Sequence, residues 1–222
     1  MKRILFALLA LPMLVTSCFD DDDRNVIDYS KYYDWRDRNN AFFDTMESYL
    51  ETHGESAYFG DTVQSLSYPA FKTFYRVIAS ANEDSLRAIK KWYTPFSTSS
   101  LKVHYTLYET ESVLDLMPAD AALFNDPSVM DSIFFDSSIK ADTLESMQVQ
   151  YYENFTCNDV IDGWGDILQN MHIGDEWLVA IPWQLGYGQS GQSSGGIMPY
   201  STLFFRVKLC DILWWGGTVE AQ

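Results

Sequence analysis

The sequence predicts an α+β fold in which an antiparallel β-sheet wraps around one short α-helix, with an N-terminal helical extension ahead of it. Three observations carry this. Strand-like runs rich in aromatic and β-branched residues fill the second half of the chain, a single helical segment with one apolar stripe interrupts them, and helical spacing dominates the stretch before residue 54. At 222 residues, with 47% hydrophobic and 16% aromatic content, the chain has ample material for a core and is too apolar to be disordered.

Residues 1–17 read as a signal peptide. Lys2 and Arg3 precede an apolar run from Ile4 to Val15, and Val15-Thr16-Ser17-Cys18 resembles the lipobox of bacterial lipoproteins. Cys18 would then be the lipidated first residue of the mature chain, holding it to a membrane; a non-cleaved N-terminal anchor is the alternative. Residues 18–28 form an acidic tether. Asp20 to Asp23 are either a self-repelling solvated spacer or a signal resembling that of surface-exported lipoproteins in some Gram-negative groups. The expected location is the cell envelope, in the outer membrane, on its periplasmic or its external face.

The full chain carries 15 Lys+Arg against 31 Asp+Glu, and loss of Lys2 and Arg3 leaves 13 against 31, a net charge of −18. So acidic a surface excludes nucleic acid as a partner. Beyond Cys18 only Cys157 and Cys210 remain, in no metal-binding spacing. A disulfide between them is open to a chain in an oxidising envelope, but Cys210 sits on a strand whose inward positions are Phe205, Val207 and Leu209, so it faces away from them and free thiols are the favoured expectation.

Residues 29–69 are the helical extension. Phe42, Phe43, Met46, Tyr49 and Leu50 recur at helical spacing, and Gly54 is placed like a C-terminal cap. A stretch rich in small and polar residues runs from Glu55 to Pro69. The main domain follows over 70–213, with a tail at 214–222. Phe71 to Ala79 reads as a strand, Asn82 to Lys91 as a short helix, and Leu101 to Tyr108, Gln148 to Phe155, Glu176 to Pro182 and Thr202 to Ile212 as further strands. One helix interrupts them, from about Trp164 to Met171, and its apolar residues Trp164, Ile167, Leu168 and Met171 fall on one stripe that must lie on the sheet.

Six segments form an ordered series: VHYT at Val103, FFDSS at Phe134, VIDGW at Val160, M-x-x-G-D at Met171, IPWQLGYG at Ile181 and STLFFRVKL at Ser201. The series, spanning residues 70–212, closely resembles the FKBP-type peptidyl-prolyl cis-trans isomerase domain. The resemblance implies an enzyme that rotates X-Pro bonds in polypeptide clients, without a cofactor, through a dry aromatic pocket. It implies Trp164 as the pocket floor and Tyr105, Phe135, Val160, Ile161 and Phe205 as walls. It gives Tyr187 a hydroxyl for a substrate carbonyl, Ile161 a backbone N–H donor, Ile197 a place on the flap and Asp136 a place at the pocket edge. Tyr151 is the ungapped candidate for one further wall aromatic, and Phe155 is the other.

Singly, each of these residues also reads as ordinary packing: aromatics in strands pack, tyrosine hydroxyls are satisfied in cores, and Asp136 before two serines suits a turn. Their joint spacing favours a site. The chain departs from the family pattern in about twenty extra residues within 107–133, in Met198 where the family often has proline, and in a longer Gly/Ser run at 188–196. These departures favour a rival reading, a non-catalytic module on the same fold that holds a proline-bearing or hydrophobic segment. Related isomerases often dimerise through N-terminal extensions, but the Phe42 stripe could equally dock on its own sheet. His53, His104 and His172 are scattered without metal spacing, so no metal is expected.

Overall fold

The computed structural model describes residues 32–54, 58–89, 91–116, 133–137 and 153–213. Cys18, the acidic run, Tyr151 and residues 117–132 of the insertion lie outside these. The described elements are α1 (Trp35–His53), β1 (Asp61–Gln64), β2 (Lys72–Ala79), α2 (Glu83–Ala88), β3 (Ser100–Tyr108), α3 (Thr110–Leu116), β4 (Phe134–Ser137), β5 (Glu153–Thr156), α4 (Asp162–Leu168), β6 (Glu176–Ile181) and β7 (Leu203–Leu213).

The strands form one antiparallel sheet in the order β1-β2-β6-β7-β3-β4, with β5 on the same edge of β3 as β4. Period-two alternation sends successive side chains to opposite faces, so each strand feeds two cores. Val103 and Leu107 of β3, Trp177, Val179 and Ile181 of β6, and Leu203, Phe205, Val207 and Leu209 of β7 meet Trp164, Ile167, Leu168 and Met171 on the α4 side. Leu178 and Ala180 of β6, Phe204 of β7, Phe74 of β2 and Tyr108 of β3 meet Phe42 and Met46 of α1 on the other. Burying a side chain of this size contributes about 1.5–3 kcal/mol, so both faces are strongly held.

Two features sharpen the sequence reading. The α1 stripe, open there to a dimer contact, docks on its own sheet, and Phe42 meets Phe204 edge-on with ring centroids 5.0 Å apart. The edge strand β1 falls inside the span read as an extension, and it pairs with β2 through Asp61 to Gln64. Its four residues are too few and too polar to stand out as a strand; the pairing with β2 decides it. Helix α1 ends at Gly54, whose φ of 56° lies in the left-handed region that glycine adopts without steric cost. The cap of α2 is Asn82, whose side-chain oxygen accepts from the Ser85 N–H at 2.8 Å.

Helix α4 is short because its approach to the sheet is unusually close. A Cβ on Gly163 would collide with the side chain of Ile181, and one on Gly165 would sit 2.8 Å from the Cys157 carbonyl oxygen. Glycines therefore flank Trp164 because the helix is pressed against β6 on one side and the turn at Cys157–Asp159 on the other. Helical propensity is given up for contact.

Candidate active site

The site is built where β3, β5 and β7 pass under α4. Trp164 is only 5% exposed, and three rings stand edge-on around it: Tyr105 at 5.5 Å between centroids, Phe155 at 5.2 Å and Phe205 at 5.1 Å. Tyr105 also faces Phe155 at 6.1 Å and Phe205 at 6.2 Å. Edge-to-face packing sets hydrogen-rich edges against π faces and adds about 0.5–1.5 kcal/mol per pair beyond area burial. Val160, Ile161, Tyr187 and Ile197 are partly buried against the core of which Trp164 and Phe205 are part.

Asp136 reaches the cluster through a bulge. Leu107 pairs with Asp136 and Tyr108 with Phe134, so Phe135 is an extra residue with no partner across the strand. Asp136, opposite Leu107, shares a face with Tyr105 two residues earlier, and the Tyr105 hydroxyl donates to Asp136 Oδ2 at 2.9 Å. Burial first, then this hydrogen bond and the Asp136 charge, push the Tyr105 hydroxyl well above its ordinary value. Burial, then the same carboxylate, raises Tyr187 too. Both phenols stay protonated donors across the physiological range.

Phe135 is 43% exposed and stands apart from the Trp164 rings. A Cβ on Gly196 would lie 3.6 Å from its ring, so it neighbours the flap. With Ile197, Met198, Leu107, Tyr108 and Trp35 it lines a cleft beside the ring cluster. The flap is a loop closed by paired backbone bonds between Gln192 and Ile197 and by the Tyr200 N–H donating to Gly188 at 2.9 Å.

The structure thus gathers Tyr105, Asp136, Val160, Ile161, Trp164, Tyr187, Ile197 and Phe205 at one end of the sheet, with Phe135 at its rim. Phe155, the other candidate for a wall aromatic, stands on β5 opposite Leu101 and packs on Tyr105 and Trp164. Cys157 and Cys210 are free thiols; burial lifts the Cys157 thiol to about 11 and raises Cys210 as well. Sequence reasoning missed the contacts of α1 with the flap base. The signal available was Asn39-Asn40 in the middle of a helix, where asparagine is a weak former unless its amide is used.

Residues 127–210 match the model of the FKBP-type peptidyl-prolyl cis-trans isomerase family. This part of the chain is similar to FKBP-type domains. The FKBP-type 22 kDa peptidyl-prolyl cis-trans isomerase of Escherichia coli K12 is 32% identical over 120 residues, 54% of this chain and 44% of that protein. The macrophage infectivity potentiator of Trypanosoma cruzi is 48% identical over 58 residues, 26% of this chain and 29% of that one. Outer membrane protein MIP of Legionella longbeachae is 36% identical over 86 residues, 38% of this chain and 33% of that protein. The chain thus spans less than half the length of these relatives. The crystal structure of FkpA from Escherichia coli superposes with a TM-score of 0.49 at 21% identity, covering 82% of this chain and 62% of that one. The sheet that holds the matched residues also contains β2 and β3, which lie before them in the chain.

Proposed function

We propose that the protein is a peptidyl-prolyl cis-trans isomerase acting on X-Pro bonds of exported polypeptides, tethered to the cell envelope by a lipid on Cys18. The observation that carries the reading is the Tyr105–Asp136 hydrogen bond at the edge of the Trp164 ring cluster. It joins a polar rim to an apolar floor in one place.

Rotating an X-Pro bond breaks amide resonance, against a barrier of about 18–20 kcal/mol. The twisted transition state has a less polar carbonyl and a more pyramidal nitrogen than the planar amide. A dry pocket therefore favours the twisted state over the planar one, and only such differential binding speeds the step. Trp164 supports the proline ring from below, with Tyr105, Phe155, Phe205, Val160 and Ile161 around it and Phe135 and Ile197 at the mouth. The neutral Tyr187 hydroxyl and the Ile161 backbone N–H donate to carbonyls of the client, fixing the chain on both sides of the rotating bond. Asp136 holds the Tyr105 hydroxyl so that its ring keeps its angle to Trp164. No bond is made or broken and no proton moves.

The membrane attachment rests on the basic, apolar and cysteine-terminated pattern of residues 1–18, and the outer-membrane location on the acidic run that follows. A homodimer through α1 would have to use its polar face, since the apolar one is covered.

The test is a protease-coupled isomerisation assay on the purified protein with several X-Pro peptides. Acceleration over buffer is expected, falling roughly tenfold or more in a Tyr187→Phe, Asp136→Ala variant, equivalent to about 1.4 kcal/mol or more of transition-state stabilisation. A folded protein that accelerates none of the peptides would overturn the reading and leave a binding module.

A further inference from the structure

We infer that α1 is a positioning element of the site: through Trp35, Asn39 and Asn40 it clamps the base of the flap and the turn that carries Tyr187. The inference deepens the isomerase reading and, for its kinetic arm, rests on it.

The contacts are specific and long-range. Asn39 is fully buried, donates from Nδ2 to the Trp35 carbonyl at 2.8 Å, and accepts at Oδ1 from the Thr202 N–H at 2.7 Å. A buried amide satisfied on both atoms fixes position sharply, because any shift leaves a desolvated polar group unpaired. Trp35 donates from Nε1 to Ser201 Oγ at 3.1 Å. Asn40 accepts at Oδ1 from Trp183 Nε1 at 2.9 Å. Three side chains within the first two turns of α1 thus reach both ends of one loop: Ser201 and Thr202 close the flap, and Trp183 opens the turn leading to Tyr187.

Tyr200 joins the two ends. Its φ of 61° is left-handed, a conformation that an aromatic residue holds only when its surroundings impose it. Its N–H donates to the Gly188 carbonyl, the Trp183 ring meets it edge-on at 5.0 Å, and the Arg36 guanidinium of α1 lies 5.2 Å over its ring. The strained residue is held between α1 and the Trp183 turn. The Tyr187 hydroxyl and Ile197 ride on the segment so fixed, so the helix sets their distance from Trp164 without touching a client.

The experiment uses Asn40→Ala and Trp183→Phe, singly and together, because each removes one hydrogen bond while Trp183→Phe keeps a ring against Tyr200. Glu47→Gln, on the far half of α1, is the control. Isomerisation is measured at a temperature where near-ultraviolet circular dichroism shows every variant folded, alongside amide hydrogen exchange resolved by segment. The expected result is a kcat/KM lower by roughly tenfold in each single variant, no further loss in the double variant because one shared bond is removed, and faster exchange confined to residues 183–202. The control keeps its kcat/KM. Unchanged kcat/KM with unchanged exchange over 183–202 would overturn the clamp, as would exchange that rises evenly across the sheet with kcat/KM per folded molecule intact. A wild-type protein without activity sinks the isomerase reading alone, since exchange over 183–202 still decides whether the clamp exists.

Discussion

The two faces of the sheet bury similar aromatic material and are covered very differently. On one, the 19-residue helix α1 lies over Phe74, Phe204 and Ala180 and closes the core, and even its buried Asn39 is satisfied. On the other, the seven-residue α4 covers only the middle, and the rings of Tyr105, Phe155 and Phe205 continue past its first turn with hydroxyl and carboxylate groups at their rim. A long helix makes a core, and a short one pressed close by glycines leaves a core unfinished at one end. That unfinished end, with its polar edge, is where the proposed pocket lies.

The largest test of this contrast is Trp164→Ala. It removes the ring that Tyr105, Phe155 and Phe205 all touch, and should lower stability by about 3–5 kcal/mol in denaturant unfolding while abolishing isomerisation. Met46→Ala is the counterpart on the closed face: a loss of about 2–4 kcal/mol, with kcat/KM per folded molecule unchanged. Equal damage to activity from both would erase the distinction between the faces. Gly165→Ala probes the close approach of α4 and should cost about 1–3 kcal/mol, because the new methyl meets the Cys157 carbonyl; a neutral result in thermal melts would mean that the helix can back away. Tyr105→Phe should destabilise by only about 0.5–1.5 kcal/mol yet reduce kcat/KM, since the hydroxyl serves the rim and not the packing.

The pH dependence follows from buried phenols. Tyr75, stacked on Trp177 and donating to Asp61, is raised by burial and then by that carboxylate from 10.0 to about 12. Its folded state holds the proton longer than its unfolded state. That contribution is complete below pH 10 and is lost as pH rises from 10 towards about 12, and Tyr105 and Tyr187 act in the same direction. Denaturant midpoints measured from pH 8 to 12 should therefore stay level and then fall. The smallest effect is expected at Arg38–Asp115, a 2.5 Å pair with Asp115 65% exposed. Asp115→Asn should move stability by less than about 0.5 kcal/mol.

Much of the fold was legible because β3 and β7 carry alternating apolar residues, β6 is a continuous apolar run and the apolar residues of α4 share one stripe. Trp164, Tyr105, Phe205 and Tyr187 were legible as a set through the order of their motifs, not through any one of them. The bulge at Phe135 was not, since a two-against-one register depends on the partner strand and leaves no local mark. Nor was the place of Phe155 against Trp164, which turns on where β5 meets β3. The docking of α1 was half visible: its apolar stripe announced a partner surface, but only the facing residues Phe74 and Phe204 say whose surface it is.

Cys157 sits at the turn beneath Gly165, buried, with its thiol lifted to about 11. A thiol reagent meets almost no thiolate there and has no path to the sulfur while α4 is seated. Labelling is therefore favoured when the turn parts from the helix, so the rate at which Cys157 is labelled reports how often α4 lifts from that turn. The same shielding slows attack on the sulfur by oxidants and disulfides.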